Sequence, residues 1–171
     1  MKPQIEKQLI GISGVYFVAA ELSRRGYVAL ITSRNLKTYD IIAYKPEENR
    51  VIPIQVKTRF QHLENIEKEL TPSLLQCKGI EIEEKVSKIE DVLFVFVYLY
   101  KDLNKLPRFF IAPSSTIKEL IIKSWEDYIQ NSKHKKPIEE IKNNIHPMQI
   151  PFKYLLEFEN KWDLLNSFYQ K

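Results

Sequence analysis

Four glycines among 171 residues are too few for a glycine-rich phosphate loop, so the chain carries no sign of nucleotide-triphosphate chemistry. A single cysteine, Cys77, excludes an intrachain disulfide and suits a reducing compartment; with no histidine near it in sequence, it reads as a small buried apolar group. The three histidines, His62, His134 and His146, stand too far apart for a zinc site, and no cysteines complete one. No apolar run approaches a bilayer span, and the opening Met1-Lys2-Pro3-Gln4 lacks the apolar centre of a signal peptide. A cytoplasmic location is therefore expected. Internal repeats and low-complexity tracts are absent.

What is present is a hydrophobic content of 44%, enough for a real core, and a length that suits one domain over residues 1–171. The net charge of +4 is unevenly spread. Residues 1–60 carry ten Lys and Arg against five acids, residues 61–91 four against eight, and residues 92–171 twelve against nine. Arg24, Arg25, Arg34, Lys37 and Arg59 lie in the basic first third and are candidates to neutralise phosphates of a nucleic acid, against the alternative of an ordinary solvated surface. Lys133-His134-Lys135-Lys136 reads as an exposed helix end or loop before Pro137.

The periodicities predict an α/β protein. Between Gly14 and Tyr27, Val15, Val18, Ala19 and Leu22 fall on one helical face, and Gly26 supplies a left-handed stop. Short β-prone runs follow at 27–32 and 40–44, and Lys45 to Arg50 reads as a turn into a strand over 51–58. Residues 61–75 are helix-compatible up to Pro72, and with the charged stretch after Lys78 they form an excursion expected to cover the site. Residues 92–100 read as a central strand and 108–112 as the next one. A helix over 116–129 presents Ile117, Leu120, Ile121, Trp125 and Tyr128 to the core, and a short packed helix is expected around Trp162, Leu164, Leu165 and Phe168.

One constellation carries chemistry. In the strand Ile54-Gln55-Val56-Lys57-Thr58, alternation puts Gln55 and Lys57 on one face and Ile54 and Val56 on the other. If Asp40 opens the neighbouring strand, a carboxylate, an amide oxygen and an ammonium converge. Hard oxygen ligands suit Mg²⁺, and a lysine beside them can hold water next to a phosphate. The bland roles are a turn cap for Asp40, a backbone partner for Gln55 and a salt bridge for Lys57.

The order of helix, strand, Asp-led strand, turn and Gln-x-Lys strand resembles the PD-(D/E)XK nuclease superfamily through Gly26-Tyr27, Tyr39-Asp40-Ile41 and Ile54-Gln55-Val56-Lys57-Thr58. It is most similar to the Mrr-like branch, in which glutamine replaces the acid of the last motif; here Tyr39 also stands where the superfamily has proline. A weaker likeness extends through Phe109 to Ser114 and Asn160 to Leu165. The resemblance implies a restriction-endonuclease-like mixed central sheet flanked by helices and a metal-dependent DNA endonuclease of restriction, repair or recombination. It implies Asp40, Gln55 and Lys57 as catalytic residues, with Mg²⁺ (or Mn²⁺) held by Asp40, Gln55 and the Val56 carbonyl, and a homodimer to cut two strands. Relatives carry a further glutamate on the first helix, for which Glu21 is the first candidate and Glu6 the second; Glu21 can equally pair with Arg24 or Arg25. The neutral Gln55 motivates an alternative, a catalytically weak or inactive nuclease-fold module that binds nucleic acid or a protein partner.

Overall fold

The computed structural model of the protein describes residues 3–32, 39–61, 65–131 and 137–168. Helix α1 (Pro3–Arg24) begins more than two turns before the expected start and runs through both Gly11 and Gly14. Its stripe is as the periodicity predicts: Val18 and Leu22 are fully buried, and Val15 and Ala19 pack beside them. Gly26, at φ 81°, reverses the chain into β1 (Val28–Ile31).

Strand β2 (Ile41–Lys45) pairs antiparallel with β1, and a single 3₁₀ turn over Pro46–Glu48, closed by left-handed Asn49, leads to β3 (Arg50–Phe60). After an excursion the chain returns as β5 (Leu93–Leu99), which pairs parallel with β3, and β6 (Arg108–Pro113) closes the sheet antiparallel to β5. The five strands lie in the order β1-β2-β3-β5-β6, a mixed sheet flanked by helices. Pro53 is tolerated inside β3 because its nitrogen faces β5 one residue before the parallel ladder begins at Ile54↔Leu93, so no ladder bond is lost.

Both faces of the sheet are covered, which explains the unbroken apolar run of β5. Ile41, Ile54, Val56, Leu93, Val95 and Val97 meet α1 on one face. Phe94, Phe96, Tyr98 and Phe110 meet α3 (Ser114–Asn131) on the other, through its fully buried Ile117 and nearly buried Ile121. Each such large side chain contributes about 1.5–3 kcal/mol on burial. The C-terminal segment, with α5 (Leu164–Ser167), packs Trp162, Leu165 and Phe168 on the α1 side.

The excursion departs from expectation. No helix forms over 65–75; that stretch is a 3₁₀ turn at Ile66–Lys68 followed by extended chain through Pro72 to β4 (Leu75–Lys78). A short α2 (Ile82–Ser87) follows. Strand β4 pairs with β7 (Ile145–Met148), which follows α4 (Ile138–Asn143), as a separate two-stranded sheet that four-residue runs did not announce. Ile66, Cys77, Ile82 and Val86 of the excursion are buried on the α3 face, the face of Gln55 and Lys57. No helix among the described residues is long and apolar enough to cross a membrane.

Candidate functional site

Asp40 stands one residue before β2 and is fixed from two sides. Its amide donates to the Ile54 carbonyl at 2.8 Å, its carbonyl accepts from the Thr32 amide at 3.0 Å, and the Thr32 hydroxyl donates to the Tyr39 carbonyl at 2.8 Å. The carboxylate turns to β3, where Oδ2 accepts the Val56 amide at 2.8 Å. A side chain thus replaces the ladder partner that β2 would have supplied, and Asp40 is locked beside the middle of the Gln-x-Lys run. Thr32 is a positioning residue that no motif announced.

Register brings the other groups in. Ile41 pairs with Ile54 at the end of the β2–β3 ladder, and the Asp40 amide donates to the carbonyl of that same Ile54, which sets Asp40 beside the start of the Gln-x-Lys run. Val56 directs its carbonyl to the same strand edge as its amide, next to Asp40. Lys57 shares the Gln55 face and is half-buried; desolvation pushes its ammonium below the ordinary lysine value, while the Asp40 charge pulls the other way. Among the described residues none forms an ion pair with Lys57 and none hydrogen-bonds the Gln55 amide. Oδ1 of Asp40, the Gln55 side-chain oxygen and the Val56 carbonyl are oxygen donors of the hard type that Mg²⁺ takes, so the residues present fit the ion in kind, with a formal charge of only one carboxylate among these three. Among the described residues, no group of three or more His, Cys, Asp or Glu side chains gathers in a form suited to a metal.

The remaining candidates are placed elsewhere. Glu21 is engaged by Arg24 at 2.7 Å and by Arg25, which lower its carboxyl pKa against the opposing effect of burial. Arg25 stacks 4.5 Å from the Trp162 ring, and Trp162 lies 5.4 Å from Phe109 of β6. Glu21, Arg24 and Arg25 therefore form a helix-surface network tied to the C-terminal segment, on the face opposite Gln55 and Lys57. Glu6 is exposed in the first turn of α1, before the middle of the helix, where the Thr58 hydroxyl donates to the Gly11 carbonyl at 3.4 Å. Arg59 is committed too: its guanidinium donates to Glu69 Oε2 at 3.0 and 3.3 Å, and that carboxylate is only 3% exposed. The pair clamps the excursion onto β3 two residues beyond Lys57, and the only sign of Glu69 in the sequence was its place in the acidic stretch. Arg34 and Lys37 lie outside the described residues.

Comparison of the chain with protein-family models and with curated proteins returns no match.

Proposed function

We propose that the protein is a metal-dependent nuclease that hydrolyses phosphodiester bonds of DNA at Asp40, Gln55 and Lys57, a PD-(D/E)XK-like site. The observation that carries this reading is the Asp40 carboxylate bound to the Val56 amide, with half-buried Lys57 close enough to feel its charge. A fully solvated lysine would not be desolvated in this way. Asp40, Gln55 and the Val56 carbonyl would hold Mg²⁺, which supplies charge to polarise a phosphoryl oxygen. Lys57 would orient the attacking water and stabilise the charge that develops on the phosphate. Of the two acids on α1, Glu21 is held by Arg24 and Arg25 and Glu6 is exposed, and neither is counted in the ion shell.

One observation favours a second reading. Gln55 is neutral where a second acid would strengthen a cation site, which suits a nuclease-fold module that binds nucleic acid or a protein without cutting.

Cleavage assays with Mg²⁺ and Mn²⁺ on duplex, branched and single-stranded DNA separate the two. Lys57→Ala is expected to lower cleavage by roughly 10²- to 10³-fold with the protein still folded, as loss of a group that acts in the transition state does. Asp40→Ala should remove cleavage and weaken metal binding, while Gln55→Glu should hold or raise metal affinity. Cleavage that persists undiminished in both alanine variants would assign the activity elsewhere; no cleavage on any substrate, with DNA still bound, would favour the second reading.

A further inference from the structure

Beyond Ile121, α3 forms one wall of a groove of about 710 Å³ whose lining includes Leu70, Trp125, Tyr128, His146, Pro151 and Tyr154. Its aromatic side chains are gathered and held. Trp125 lies 5.5 Å from Tyr128 and 5.2 Å from His146 between ring centroids, and Tyr128 and His146 are 6.2 Å apart. The Trp125 indole rests on Gly79, where an added Cβ would come within 2.1 Å of Cζ2, so only glycine admits the ring there. His146 is anchored through Nε2 to the Ile141 carbonyl at 2.8 Å. Tyr128 is 41% exposed, an uncommon state for so large a ring in a cluster.

The charges decide what such a platform suits. Asp127, the acid in the lining, is engaged by the Tyr154 hydroxyl, whose own pKa is raised by that bond. The ammonium groups of Lys123 and Lys153 each lie 4.8 Å from the Tyr154 ring centroid. Two cations over the ring oppose a cationic ligand and suit an anionic one. Flat rings beside cations match a base joined to phosphate. One link runs from the groove towards the candidate site: Leu70 follows Glu69, whose carboxylate binds Arg59, two residues beyond Lys57 on β3.

We propose that this groove binds an unpaired segment of nucleic acid, its bases stacking on Trp125, Tyr128 and His146 and its phosphates meeting Lys123 and Lys153. Its biological place, as a grip on the strand beside the cleaved one, rests on the nuclease reading, while its binding chemistry does not. It would make the preferred substrate one with single-stranded character rather than a continuous duplex.

The chain has two tryptophans, and Trp162 is 7% exposed in the core, so fluorescence quenching reports the groove through Trp125. The probes are a short oligothymidylate, its duplex with oligodeoxyadenylate, and polyglutamate, all in EDTA without metal. Saturable quenching by oligothymidylate is expected in the wild type and in Trp162→Phe, and its loss in Trp125→Phe. Tyr128→Ala should raise the oligothymidylate Kd about five- to a hundredfold, the range of one lost base stack, and Lys153→Glu should weaken it further. Equal binding of the duplex or of polyglutamate, or no change in Tyr128→Ala, would overturn the proposal, as would silence to all three probes, the outcome for a peptide groove. Cleavage in Mg²⁺ measured in parallel keeps the two readings apart. Quenching without cleavage keeps the groove and removes the nuclease; cleavage without quenching does the reverse.

Discussion

Lys57 illustrates how much a single residue owes to the strand that carries it. Alternation alone put Gln55 and Lys57 on one face, and that part was legible because period-2 geometry is local. The partial burial of Lys57 was not, since it comes from β5, where Phe94 and Phe96 stand opposite Gln55 and Lys57 in register, and from the excursion folded over the same face. The resulting depression of its pKa has a definite sign in solution. Between the folded value and the ordinary 10.5 the unfolded chain binds the proton more tightly, so stability should rise with pH through that window and the cost of charging the half-buried amine should be fully present below it. Urea melts across the alkaline range should show this rise in the wild type and lack it in Lys57→Met, which should also be the more stable protein near neutrality. A matching slope in both proteins would place the titration on another group. Glu21 takes the second of its two expected roles, pairing with Arg24 and Arg25, because helical spacing gives the neighbours of a residue on its own helix but not the distance of that helix from the site.

At the scale of elements, α1 and β3 meet so closely that one of the helix's glycines is a contact requirement. A Cβ on Gly14 would fall 1.9 Å from Thr58 Oγ1 and 3.0 Å from Thr58 Cβ, whereas one on Gly11 would meet nothing within 4 Å. Helix propensity favours alanine at both by about 1 kcal/mol, and overpacking costs about 1–3 kcal/mol only at Gly14. Gly11→Ala should therefore raise the melting temperature, Gly14→Ala should lower it or leave it level, and Gly14→Ala in a Thr58→Ala background should recover the gain. Equal effects of the two single substitutions would show that helix and strand are further apart. This contact also explains the misplaced helix start, because Gly14 resembles a boundary in sequence when its smallness serves packing. The long strands and α3 were legible from their apolar periods; β4 and β7 were not, because two four-residue strands paired about seventy positions apart carry no periodic signal of their own. Trp125 and Tyr128 fell on the predicted stripe of α3, yet only its first half, Ile117 and Ile121, reaches the deep core.

For the whole molecule, the pairing of β4 with β7 matters beyond local stability. Between β5 and β6 the chain passes through an exposed turn, with Leu103 and Leu106 at 92% and 84% exposure, where a break removes no buried contact. A chain cut between Leu103 and Asn104 would leave two pieces joined by two independent sets of strand bonds, β5 with β6 and β4 with β7. Tyr27 and Arg50 of the first piece also hydrogen-bond to Asn166 and to the Leu165 and Asn166 carbonyls of the second. Co-expressed pieces should copurify and melt as one unit, while the first alone, with the Phe94 and Phe96 face bare, should aggregate; pieces that elute separately would show that the small sheet adds little. The consequence reaches past folding. Asp40, Gln55 and Lys57 all lie in the first piece and most of the aromatic groove in the second, so a split protein would hold its putting-together and its proposed grip on a substrate under one control, switched on by whatever brings the halves into company.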